Sequence, residues 1–212
     1  MPGRGPRGWR IGTHAVGDGA VRVVLDVYER VTNESGGLAP ATLVVEHALL
    51  VEPAQRARAV RLGVGVTVQH ALLWNMASEM LTTWGPGRTA RVSPVDEWLA
   101  AGTILAAGTD IVRPFNPMTN VWGMVTRGTH SAGIQGPEHA IDRQTAIELY
   151  TAAGARLDRE GQRRGTLAAG RLADIVAYPA DPFSVDLDQL AGLAPTFTMV
   201  GSRVVHDPGG LL

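Results

Sequence analysis

Ile11-Gly12-Thr13-His14-Ala15-Val16-Gly17-Asp18-Gly19-Ala20 is the stretch whose reading decides the fold. A short apolar run closes on a histidine, a Gly-Asp-Gly turn follows, and a helical pattern begins. Ala20, Val21, Val24, Leu25, Val27 and Tyr28 recur at helical spacing, which predicts a helix over 18–31. Asp18 stands where it can cap that helix or orient His14. A polar side chain at the carboxyl end of a strand, facing the loop into a helix, is where (β/α) barrels keep their chemistry. Alone, such a histidine would read as a hydrogen-bonded loop residue. The rest of the chain changes that weighting.

The same unit recurs downstream. Thr42 to Val45 reads as a buried strand ending in Glu46-His47, and Pro53 opens a short helix that Gly63 closes. Val64 to Val68 is a third strand, ending in Gln69-His70. A longer excursion carrying Trp74, Met76, Met80 and Trp84 follows, and Ser93-Pro94 starts another helix. Thr103 to Ala107 is a fourth strand, ending in Gly108-Thr109-Asp110. This βα alternation implies a parallel sheet. His14 and His47 are 33 residues apart, matching one βα unit of roughly 30 residues. His47 and Asp110 are 63 apart, matching two. His14, His47 and Asp110 are thus expected at equivalent strand ends, on one face.

Composition narrows the function classes. The chain has 212 residues, 45% of them hydrophobic and 18% charged, with a formal net charge of −1. Scattered, balanced charges give no nucleic-acid surface, and no apolar run reaches the roughly 18 residues of a membrane helix. Residues 1–9 lack a secretory h-region and any strand or helix period, and read as a start in mid-domain. There is no cysteine, hence no disulfide, thiolate metal site or cysteine nucleophile, and a cytoplasmic location is expected. Every basic residue other than histidine is arginine, which removes Schiff-base, P-loop and carbamylated lysines.

Beyond Asp110, residues 114–117 read as loop, Met118 to Arg127 as helix, and Ile141 to Leu157 as one amphipathic helix. The period then changes to strands and turns. Residues 195–205 read as a hairpin around Gly201-Ser202. His130, His139 and His206 read as loop or surface histidines, and Asp174 as a turn residue. Trp74, Trp84 and Trp122 could line an apolar pocket, with core packing the commoner role.

Several of these stretches resemble one family in order. "THAVGDGAV" is similar to the signature closing the fifth barrel strand of the amidohydrolase superfamily, in particular amidohydrolase family 3. "VVEHALLV" resembles the sixth-strand histidine motif and "AGTD" the eighth-strand motif. "AIDRQTAIELYTAAGA" resembles the helix that follows, "GTLAAGRLADIVAYPADPF" the exit into a small β-sandwich, and "TFTMVGSRVVH" its last hairpin. The resemblance covers about residues 9–206. It implies an α/β fold: the carboxyl-terminal half, strands five to eight, of a TIM-like (β/α)8 metal-dependent hydrolase barrel over 1–160, then part of a β-sandwich over 161–212.

The resemblance also implies roles. His14 and His47 would be ligands of a divalent metal, usually zinc, and Asp110 both ligand and general base. Gln69 and Arg127 would be substrate-side residues. The expected reaction is hydrolysis of non-peptide amide or cyclic amide C–N bonds of a small-molecule substrate by a metal-activated water. The chain departs from the family in having no His-x-His pair. That implies either half of a split enzyme, met by a homo-oligomer or a complementary amino-terminal half, or a catalytically inactive remnant. Four strands cannot close a barrel, so unpaired apolar sheet edges are expected.

Overall fold

The computed structural model describes residues 9–110 and 115–210. The reading of residues 1–8 as a mid-domain start, and of position 114 as loop, lies outside them. Four parallel strands form the main sheet in sequential order: β1 (Ile11–Ala15), β2 (Leu43–His47), β3 (Gly65–Val68) and β4 (Ile104–Ala107). The expected strands are therefore present, each within a residue or two of its sequence bounds.

The two faces of the sheet differ because strand side chains alternate. Ala15, Leu43, Val45, Val66, Val68 and Leu105 are buried in one large apolar cluster. Helices α1 (Asp18–Glu34), α2 (Pro53–Arg61), α4 (Val95–Ala100) and α5 (Pro117–Thr126) supply its other side through Val21, Leu25, Tyr28, Ala59, Trp98 and Val121. On the second face Gly12, His14, Glu46 and Thr67 are exposed or half-buried, while Val44 and Ala106 are buried in a small cluster with Ala41 and Leu157. β1 is the outer strand at one end of the sheet, and Ile11 there is 52% exposed.

Local sequence explains most helix boundaries. α2 begins with a capping box between Glu52 and Gln55 and has Pro53 in its first turn. Gly63, with φ 65°, sits just past its end. α1 corrects the sequence reading. Gly17, not Asp18, is its N-cap, and Asp18 is the first helical residue, where an acid favours the helix dipole. The Asp18 carboxylate meets Arg88 at 3.2 Å, so it faces that arginine and not His14. Burial tends to raise its pKa, but the Gly19 N–H and the Arg88 pair outweigh this and hold it low.

Two further differences concern helices. The excursion after Gln69 is α3 (His70–Ala90), interrupted at Gly85, whose φ of 76° breaks the helix just before Pro86. The single helix expected over 141–157 is two, α6 (Arg143–Tyr150) and α7 (Ala152–Leu157), broken at Thr151. The antiparallel sheet β5 (Ile175–Ala177), β6 (Phe197–Val200), β7 (Arg203–His206) follows, with the short α8 (Leu187–Leu190) between β5 and β6. Its hairpin turns at Gly201-Ser202 with positive φ at both residues, as expected. Asp174 accepts the Gly201 N–H at 2.7 Å, which anchors the turn.

Candidate metal and catalytic site

The carboxyl ends of β1 and β2 carry the two histidines side by side. Their rings are 4.4 Å apart between centroids and meet edge to face. Register places His14 opposite Glu46 and Ala15 opposite His47. His47 would fall on the apolar face if β2 stayed regular. The backbone prevents this: His47 and Ala48 take φ 77° and 45°. Such left-handed values at two successive non-glycine residues cost about 1–3 kcal/mol each and persist where surrounding structure enforces them. Here the enforcing bonds are Ala48 N–H to Ala15 carbonyl at 2.9 Å and Leu50 N–H to Val16 carbonyl at 3.0 Å.

Both histidines open onto a cavity of about 360 Å³. Asp110, just past β4 and also at positive φ (55°), lines it too. Most of the remaining wall is apolar: Val16, Leu49, Leu72, Met80 and Trp84. The wall from Leu72 onward belongs to α3, and Glu79 from α3 adds a second carboxylate. His14 is exposed, and His47 is buried.

A polar chain lies behind His47. Its Nδ1 is 2.7 Å from Gln69 Oε1. The Gln69 amide donates to Thr67 Oγ1 at 2.9 Å, and the Thr67 hydroxyl donates to Glu46. Glu46 itself fills the space over Gly12, where a Cβ would meet its Oε1 at 2.6 Å. Glu46 and Thr67 escaped the sequence reading. A charged residue inside the apolar run Leu43-Val44-Val45, and the i, i+2 pair Thr67/Gln69, were the available signals.

The structure brings His14, His47 and Asp110 to one mouth, but sets Gln69 behind His47, with its amide engaged by His47 and Thr67 and not turned to a substrate, and places Arg127 elsewhere. This correction has a plain cause. Arg127 is fully buried at the end of α5 and donates to four backbone carbonyls: Val92 at 2.7 Å, Gln135 at 3.0 Å, Ser93 at 3.1 Å and Ala90 at 3.3 Å. Burial pushes its pKa down to about 10, against the opposing pull of Asp96 and Glu138. Four of its five N–H groups tie the end of α3 and the loop after it to Gln135, and its full burial keeps it from a substrate. His139, expected as a loop or surface residue, is buried with Nδ1 2.9 Å from Asp96. Trp84 lines the cavity, whereas Trp74 stacks on His130 at 4.8 Å. Trp122 packs against the core.

The chain is an α/β fold whose parallel sheet carries two imidazoles and a carboxylate at its carboxyl edge. Comparison with known proteins agrees. Residues 5–206 match the model of the amidohydrolase family, and the chain belongs to that family. It is 27% identical over 206 residues to the N-substituted formamide deformylase of Arthrobacter pascens. That match takes in 96% of this chain but 38% of the relative, so the chain spans under two fifths of that protein. It also resembles the crystal structure of an uncharacterised metal-dependent hydrolase of Pyrococcus horikoshii. There the TM-score is 0.68 and the identity 26%, over 85% of this chain and 36% of that one. The fold is shared as well with the atrazine chlorohydrolase of Arthrobacter aurescens complexed with zinc and atraton, at TM-score 0.64 and 16% identity, over 95% of this chain and 45% of that one. No helix among the described residues is long and apolar enough to cross a membrane.

Proposed function

We propose that this chain contributes strands five to eight of an amidohydrolase barrel, and part of its β-sandwich, to hydrolysis of C–N bonds in small non-peptide amides or cyclic amides in the cytoplasm. The observation that carries the reading is the meeting of His14 and His47 at 4.4 Å on the cavity that Asp110 also lines. Imidazole nitrogen and carboxylate oxygen are donors that suit zinc, so these residues fit the ion in kind. They fall short in number. Among the described residues no three histidine, aspartate or glutamate side chains come together as a ligand set. His14 and His47 therefore form half a site, with Asp110 at its rim, and further ligands come from a complementary amino-terminal half.

When bound, the ion would act as a Lewis acid and bring the pKa of a water to about 7. The chain's own residues do the rest. His14 and His47 would hold the ion. Asp110 takes the proton of the attacking water and hands it to the departing nitrogen, which would otherwise leave as an unstable anion. Val16, Leu49, Met80 and Trp84 give the cavity an apolar wall beside the exposed Asp110 carboxylate. The missing ligands favour a second reading for the chain in isolation, that it is inactive until its complement is present.

The test is zinc content by elemental analysis, beside the mass from size-exclusion chromatography. About one zinc per chain, lost in the His14→Ala/His47→Ala double variant, is the expected result. Equal zinc retention by the wild type and the double variant would overturn the ligand assignment, and a zinc-free wild type favours the second reading.

A further inference from the structure

We propose that Gln69 is a positioning residue that locks His47 in its Nδ1–H tautomer, leaving Nε2 and its lone pair to the cavity. The inference rests on the ligand role given above to His47, but its central readout does not.

Donor and acceptor counting fixes the direction of the chain behind His47. The Thr67 hydroxyl gives its single proton to the Glu46 side-chain oxygen. The Thr67 oxygen is then left as an acceptor, and the group 2.9 Å from it must be a donor. That group is the Gln69 NH2, so the Gln69 carbonyl is the end that meets His47 at 2.7 Å. A carbonyl oxygen cannot donate, hence Nδ1 carries the proton. One anchored carboxylate thus sets the tautomer of a histidine three links away.

The setting is built for this. Gln69 is 5% exposed and His47 8%, so water competes little for either partner. Thr67 lies in β3 and Gln69 one residue past its end, still extended as the N-cap of α3, so the two keep the i, i+2 spacing of a strand, and β2 presents Glu46 directly before His47. A histidine that binds a metal through one ring nitrogen commonly donates its other N–H to an oxygen. Loss of that partner typically weakens metal binding about 10–100-fold. An imidazole free to choose puts its proton mostly on Nε2, the nitrogen needed here as ligand.

The experiment uses the 212-residue chain, metal-free and 15N-labelled, with long-range 1H–15N correlation of the His47 ring assigned by His47→Gln. The wild type is expected to show Nδ1–H alone, and Gln69→Leu a mixture or the Nε2–H form. Gln69→Glu keeps an acceptor and restores Nδ1–H. Thr67→Val, which cuts the chain one link back, is the fallback should Gln69→Leu fail to fold, and it lowers the Nδ1–H population. Zinc titration of the same proteins should show about 10–100-fold weaker binding in Gln69→Leu and recovery in Gln69→Glu. Nε2–H in the wild type, or equal zinc affinity in wild type and Gln69→Leu, would overturn the proposal. Nδ1–H in the wild type together with no zinc binding by any variant supports the lock and overturns the metal reading instead.

Discussion

Replacing Arg127 by methionine separates a structural arginine from a substrate-side one. The guanidinium serves four carbonyls, those of Ala90, Val92, Ser93 and Gln135. Leaving a buried acceptor without a donor costs about 1–3 kcal/mol, so the four together represent about 6 kcal/mol at the lower part of that range. Burial of the cation itself works against this. A pKa pushed down to about 10 from 12.5 corresponds to about 3 kcal/mol spent on desolvation. The difference leaves Arg127→Met about 3 kcal/mol less stable, a fall in Tm of about 6–12 °C for a chain of this size. Urea unfolding followed by tryptophan fluorescence measures it. Arg127→Lys should recover only part, since a point charge with three donors cannot span four carbonyls. A loss below about 1 kcal/mol in Arg127→Met would refute the clasp. Unchanged stability with lost ligand binding would return Arg127 to the substrate.

Three other outcomes follow from buried groups. His70 is fully buried, and desolvation, with a smaller push from Arg127, lowers its pKa to about 3. Its folded pKa lies below the ordinary 6.5, so the unfolded chain takes up the proton first. Stability is complete above pH 6.5 and falls by about 1.4 kcal/mol per pH unit as pH drops towards 3. Urea midpoints between pH 7.5 and 4.5 should show this slope in the wild type and not in His70→Gln. Gly123→Ala would put a Cβ 2.2 Å from His70 Cδ2, and overpacking should outweigh the better helix propensity, leaving a net loss of about 2 kcal/mol. The double variant with His70→Ala should remove the clash, and strict additivity in that cycle would count against the contact. Arg56 meets Glu97 at 2.7 Å and the Val51 carbonyl at 2.9 Å while 6% exposed. Glu97 is partly solvated, so Arg56→Met should cost about 2 kcal/mol in thermal unfolding, and an unchanged Tm would show that the pair contributes nothing net.

What the sequence disclosed follows from the range of the forces involved. The four strands were legible because each is a short β-branched run bounded by turn residues, and His14, His47 and Asp110 were legible because they stand where those runs end. α3 was not. Leu73 and Ala77 face the core while Leu72, Met76, Met80 and Trp84 face the cavity. A helix apolar on two sides shows no amphipathic period, and Gly85-Pro86-Gly87 adds breaker signals within it. The division between α6 and α7 at Thr151 was hidden for a similar reason, since the small residues around it keep an acceptable helical pattern. Arg127 misled because its partners at 90–93 lie over thirty residues away in the chain. Gln69 was expected on the substrate side, and only the structure shows it behind His47 with its carbonyl turned to that ring.

The left-handed backbone at His47 and Asp110 has a consequence for how such a site would drift. At these positions the main chain prefers glycine, which takes positive φ at no steric cost, while the chemistry proposed here accepts only a ligand side chain. Selection for thermal stability alone would enrich glycine or asparagine at 47 and 110, by up to about 1 kcal/mol per site. Selection for turnover, applied to the chain with its complement, would restore histidine and aspartate. The two regimes would diverge at those codons while agreeing across the apolar face of the sheet. A deep substitution library sorted both ways would thus mark the reactive positions by their disagreement, without a substrate being known in the stability arm.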